Sequence, residues 1–112
     1  MKPLSILFIL SLLVMSFAVI NTQLHVTVRD ELGNLVEGAT IQLYANEQDF
    51  TKEVNKVAEA TTDKKGIARF KSLNATVCYV IVRKDDKDNA GAAEQTGKLD
   101  AGRINKVTII IQ

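Results

Sequence analysis

In several short stretches of this chain an apolar residue recurs at every second position, and each stretch stops at a Gly-, Asn- or Asp-containing break. Leu24, Val26 and Val28 alternate with His25, Thr27 and Arg29, and Ala39 to Tyr44 alternates again. A period of two sends successive side chains to opposite faces, so these are half-buried strands and not amphipathic helices. The breaks carry their own chemistry. Asp30-Glu31-Leu32-Gly33-Asn34 and Asp63-Lys64-Lys65-Gly66 place an aspartate, able to cap a turn through its carboxylate, ahead of a glycine free to take positive φ. Val57 to Thr61 is a weaker strand, and Ile67 to Phe70 follows the second turn, with Leu73 closing that unit. Val77 to Val82 is the most continuous β-forming run, which predicts a central strand covered on both faces. Val107 to Ile111 ends the chain as a last strand. Asn46 to Lys56 reads as a loop or short helical turn, and Lys84 to Gly97 as a long loop. Strands broken every roughly 8–12 residues predict an all-β, seven-stranded Greek-key β-sandwich occupying residues 22–112.

Ahead of this domain the chain has a different character. Lys2 precedes a mostly apolar run from Leu4 to Met15, and Ser16-Phe17-Ala18 ends it with small residues at the positions a signal peptidase requires. Residues 1–18 are therefore read as a signal peptide cut between Ala18 and Val19, giving a protein of the secreted, periplasmic or cell-envelope space. The alternative is a retained anchor, since Leu4 to Ile20 is 17 residues, at the short end of a membrane span. A membrane contact is expected only through that segment. With Cys78 as the only cysteine, no thiol follows the apolar run to carry a lipid.

Cleavage would leave 94 residues with 13 basic and 13 acidic side chains. A neutral domain has no net field to draw it to nucleic acid, so no nucleic-acid partner is expected. One cysteine cannot close an internal disulfide, and a single His with a single Cys makes a poor metal or nucleophile set. No cofactor, metal site or catalytic group is assigned, and the chain is read as a non-enzyme.

Three segments carry a family likeness. Asp30 to Ala39, with Gly33 and Gly38, resembles the D-x-x-G-x-P-V-x-G-A element of carboxypeptidase-regulatory-like, or prealbumin (transthyretin)-like, domains. Thr62 to Phe70, with Asp63 and Gly66, resembles their T-D-x-x-G-x-x-x-F element, and Leu73 with Val77-Cys78-Tyr79 their L-x-x-G-x-Y. Leu35 stands where Pro is usual and Thr76 where Gly is usual. The resemblance implies a prealbumin-like sandwich, with Phe70 in the core, acting as an accessory, adhesive or substrate-handling module. The style of the sequence is similar to small exported proteins of Bacteroidetes-type bacteria.

Four chemistries would each need particular residues. The hydroxyisourate hydrolases of the wider fold need several histidines and a Tyr-Arg-Gly-Ser tail; here there is only His25, on the strand face away from Leu24, and the tail is Thr108 to Gln112. A Lys–Asn isopeptide between first and last strands lacks its lysine, because the first strand offers only His25 and Arg29. Asp85 to Gly91 invites a calcium reading, but Ala90 and Gly97 stand where a loop beginning at Asp86 wants oxygen ligands, so a solvated charged turn is expected. Tyr44, on the face opposite Ile41 and Leu43, and Phe50 in the adjacent loop form a thin aromatic surface for a ligand, carbohydrate being the alternative to a protein partner. Cys78 reads as a buried thiol, and Asn74-Ala75-Thr76 as an N-glycosylation pattern relevant only in a eukaryotic source.

The last strand poses one further question. Val107 to Ile111 is uncharged and proline-free with Lys106 alone beside it, so it is either an interior strand, the expectation taken here, or an open edge. An unknown protein or glycan is the expected partner.

Overall fold

The computed structural model describes residues 21–92 and 94–112. The apolar run and the Ala18–Val19 junction lie outside the described residues. Among the described residues seven strands and one short helix follow in order: β1 (Gln23–Arg29), β2 (Thr40–Tyr44), α1 (Glu47–Lys52), β3 (Ala58–Thr61), β4 (Ile67–Phe70), β5 (Tyr79–Lys84), β6 (Lys87–Asp88) and β7 (Ile104–Ile110). They form two sheets, a three-stranded one ordered β4-β1-β7 and a four-stranded one ordered β3-β2-β5-β6. The pairings are antiparallel except β1 with β7, which run parallel from Gln23 opposite Ile104 to Arg29 opposite Ile110.

The period-two pattern explains what lies between the sheets. Leu24, Val26 and Val28 of β1 are fully buried, as are Ile41 and Leu43 of β2 and Val80 and Val82 of β5. Ala39, Ala68, Phe70, Cys78, Leu99, Ile109 and Ile111 complete the core. Burying each larger aliphatic side chain contributes roughly 1.5–3 kcal/mol, and this seam holds the two sheets together. The core contains a buried polar clasp as well. The Ala39 N–H donates to Thr62 Oγ1 (2.9 Å), and that hydroxyl donates to the Val36 carbonyl (2.6 Å), tying the approach to β2 onto the end of β3.

The two Asp-x-x-Gly segments fold into the same loop. Asp30 Oδ1 accepts the N–H groups of Leu32 and Asn34, and Asp63 Oδ1 accepts those of Lys65 and Ile67. In each, the aspartate carbonyl takes the glycine N–H and the aspartate N–H closes onto the carbonyl four residues on. Gly66 has a second reason to lack a side chain. Its φ is +73°, and a Cβ there would meet the Val28 carbonyl at 3.0 Å and the Val36 nitrogen at 3.1 Å. Gly66→Ala should therefore destabilise the domain by about 1–3 kcal/mol, read as a lower urea midpoint at unchanged slope. An unchanged midpoint would mean that the loop does not pack against β1.

Arg69 Nη1 donates to Asp63 Oδ2 at 2.8 Å. That hydrogen bond, followed by those from the Ile67 and Lys65 N–H groups, holds the Asp63 carboxyl below its ordinary value of 3.8. The Asn34 N–H does the same for Asp30. A depressed carboxylate stabilises the fold above its unfolded pKa, and that contribution disappears as pH falls through the folded value. Melting temperature should thus hold from neutrality to about pH 5 and drop below about pH 4. Asp63→Asn should lower it at neutral pH and shrink the acid-side drop; a variant with the wild-type acid profile would contradict the assignment.

Two expectations for the second half of the chain are corrected. Residues 84–97 are not one long loop. Asp85, at φ +54°, turns the β5–β6 hairpin, and the chain then runs back along β5, with Val80 N–H donating to the Glu94 carbonyl and Thr96 N–H to that of Cys78. And β7 is not interior. Among the described residues β7 pairs with β1 alone and forms one edge of the three-stranded sheet, while Gln112 just beyond it exchanges backbone hydrogen bonds with Asp88.

Candidate functional site

The outer face of the four-stranded sheet carries one candidate surface. Helix α1 begins where Asn46 Oδ1 accepts the Asp49 N–H and ends at Glu53, whose φ of +53° breaks it. It lies across β2 and β5 and sets Phe50 over the cross-strand pair Tyr44 and Tyr79. Phe50 meets Tyr44 edge-on, at 6.2 Å between ring centres and 79° between planes, and Tyr79 at 5.7 Å and 42°. The Tyr44 hydroxyl donates to Gln42 Oε1 at 3.1 Å.

This arrangement corrects the expectation that Tyr44 is exposed. The alternation places it on the outer face, but the helix covers that face and leaves Tyr44 1% exposed. Tyr44 and Phe50 are therefore not a coplanar, open platform of the kind a sugar ring stacks on. They form a small second cluster outside the main core, which also explains why β5 is buried on both faces, Ile81 included.

Beside the cluster runs an open groove of about 250 Å³ between α1 and the β5–β6 hairpin, lined among others by Phe50, Glu53, Ile81, Arg83, Asp88 and Glu94. Arg83 Nη1 donates to Glu53 Oε1 at 2.7 Å, which holds the Glu53 carboxyl down and the Arg83 guanidinium up. Asn89 forms the floor. It is 3% exposed, its Oδ1 accepting the Val82 N–H (3.0 Å) and its Nδ2 donating to the Val80 carbonyl (2.9 Å). The groove offers an apolar base with a rim of mixed charge, suited to a polar contact surface. Its acids and base are paired with one another or with backbone.

The other singled-out residues are dispersed. Asp30, Gly33, Asp63 and Gly66 close turns, Gly38 takes a φ of +78° before β2, Phe70 is 5% exposed in the core, and Tyr79 is half-buried under Phe50. His25 is half-exposed on β1, where partial burial and then the neighbouring Arg69 and Lys106 lower its pKa. Cys78 is fully buried, and burial pushes its thiol up. In the acidic segment from Asp85 to Gly91, Asp88 Oδ1 accepts the Ala90 N–H while Asn89 turns inward. Among the described residues no three His, Cys, Asp or Glu side chains come together as a metal set.

The second candidate surface is the free edge of β7. The Gln23 N–H donates to the Arg103 carbonyl, and the Ile111 N–H to that of Arg29. Continuing that parallel ladder, the odd-numbered residues from Arg103 to Ile111 turn their backbone groups toward β1. Ile104, Lys106, Thr108 and Ile110 turn theirs outward, and all four side chains are exposed. The length and bareness of this edge were legible in the sequence; its place at the rim was not.

No family model matches the chain, and no curated protein does either. Among solved structures the sandwich is similar to the Bacillus anthracis TIE protein, at TM-score 0.56 and 21% identity over 80% of this chain and 16% of that one. It is also similar to the group B streptococcus pilus 2b backbone protein, at TM-score 0.54 and 16% identity over 81% of this chain and 40% of that one. The chain thus spans less than half the length of either. Both likenesses are of fold alone.

Proposed function

We propose that this chain is an exported, non-enzymatic β-sandwich module of the carboxypeptidase-regulatory-like or prealbumin-like kind, with a binding or structural role in the cell envelope or extracellular space. The observation that supports this best is the use the fold makes of its polar side chains. Asp30 and Asp63 hold turns, Thr62 and Asn89 clasp buried backbone, and Arg83 and Glu53 hold each other. What remains for function is surface: a groove beside α1 and an unpaired strand edge. The burial of Tyr44 takes away the aromatic platform on which a carbohydrate-binding reading rested.

Export rests on the N-terminal sequence, where small residues close the apolar run at Ala18. Expressed from its full sequence in a bacterial host, the protein should be recovered from the periplasm or medium, with an intact mass corresponding to a chain beginning at Val19. Membrane-bound protein retaining Met1 would favour an anchored module instead. Cytoplasmic protein retaining Met1 would overturn the proposal.

A further inference from the structure

Edge strands expose unpaired N–H and C=O groups, and natural sheets blunt them by shortness, charge, proline or bulges. Three edges here follow that rule. β3 and β4 are four residues each, with Glu59 and Arg69 among them, and β6 is two residues. β7 is seven residues long, has no proline, and carries one charge, Lys106. At its two ends Ile104 and Ile110 are each 50% exposed.

The pattern along this edge is its own complement. The outward-facing residues are Ile104, Lys106, Thr108 and Ile110, placed symmetrically about Val107. When a second copy is laid antiparallel with Val107 opposite Val107, Ile104 meets Ile110 at both ends and Lys106 meets Thr108. Every outward residue then exchanges both backbone hydrogen bonds with its counterpart, and an aliphatic pair closes each end. The neighbouring registers are worse. Sliding one way puts Lys106 directly opposite Lys106, a like-charge pair. Sliding the other way calls Gln112 into the pairing with Ile104, but the Gln112 backbone is already exchanging hydrogen bonds with Asp88 of β6.

We infer that two copies of this chain associate through β7 in this register, about a twofold axis, to make one continuous six-stranded sheet ordered β4-β1-β7-β7-β1-β4. Twofold pairing is isologous and closed, so it ends at the dimer and does not propagate into a fibre. The near balance of charge in the chain leaves little long-range repulsion to oppose it. This goes beyond the role proposed above: a monomeric protein found in the exported fraction would defeat the dimer and leave that role standing.

The test combines sedimentation with cross-linking of the purified protein. The wild type should show a concentration-dependent monomer–dimer equilibrium. Thr108→Pro removes an outward N–H that the fold itself does not use, and should raise the dissociation constant tenfold or more at an unchanged melting temperature. Ile110→Lys should do the same without touching the backbone, which covers the case of a poorly folded proline variant. Cysteines report the register, with native Cys78 out of reach in the core. Under mild oxidation an equal mixture of Lys106→Cys and Thr108→Cys proteins should give the mixed disulfide dimer in clear excess over the two homodimers combined, beyond the half that random pairing yields. A wild type that stays monomeric at millimolar concentration would overturn the inference. So would a dimer indifferent to both edge variants, or self-linked Lys106→Cys and Thr108→Cys dimers together matching or outnumbering the mixed one.

Discussion

Phe70→Ala is expected to cost about 3–5 kcal/mol, the range for truncating a buried aromatic ring. The ring is 5% exposed and lies opposite Leu24, at the end of the β4–β1 pairing and inside the seam between the sheets. Among the described residues it is the one aromatic side chain of the main core, so its removal leaves a ring-sized space among aliphatic side chains. A domain of this size has a total stability of about 5–10 kcal/mol, so a loss of that order removes much of the margin. Urea denaturation followed by circular dichroism should show the midpoint falling sharply, and Phe70→Leu should recover most of the loss. A midpoint within experimental error of wild type would place the ring on the outer face.

Asn89 carries the second large effect. Its side chain gives the β5 backbone the hydrogen bonds that a neighbouring strand would otherwise supply, at the point where β6 ends. Removing it leaves the Val82 N–H and the Val80 carbonyl buried without that partner, at about 1–3 kcal/mol each. Asn89→Ala should therefore destabilise by roughly 2–5 kcal/mol. Asn89→Asp adds a pH signature. The aspartate keeps an acceptor for Val82, but when ionised it has nothing to donate to Val80 and sets a charge against that carbonyl. Burial raises its pKa, and the protonated form can donate again. Its deficit relative to wild type should thus shrink as pH falls through that raised value, opposite in sign to the acid-side loss expected of Asp63. A change within about 0.5 kcal/mol for Asn89→Ala would mark the residue as solvent-facing.

The alternation of Leu24, Val26 and Val28 was enough to identify β1 and its buried face, because period-two burial is a property of the strand itself. The Asp-x-x-Gly turns were legible for the same reason: the carboxylate closes its own loop within four residues. What the local pattern could not carry was anything set by a distant neighbour. Tyr44 does lie on the outer face of β2; only the path of α1 across that face buries it. Asn89 looks like one more polar residue in a charged turn until the chain folds back along β5 and aims it inward. The hydrophobicity of β7 fits an interior strand as well as an edge, and the choice rests on the parallel pairing of the first and last strands, the most non-local contact in the sheet. The candidate surfaces belong to this second kind, which is why the sequence pointed to a fold more clearly than to a site.

Residue-resolved hydrogen exchange reports whether the last strand is an open edge. In dilute solution, where the monomer prevails, protection should alternate along β7. The amides of Asn105, Val107, Ile109 and Ile111, bonded to β1, should exchange slowly, and those of Ile104, Lys106, Thr108 and Ile110 fast. Uniform slow exchange along the strand under those conditions would mean that both sides of β7 are paired within one chain, and the open-edge account would be wrong.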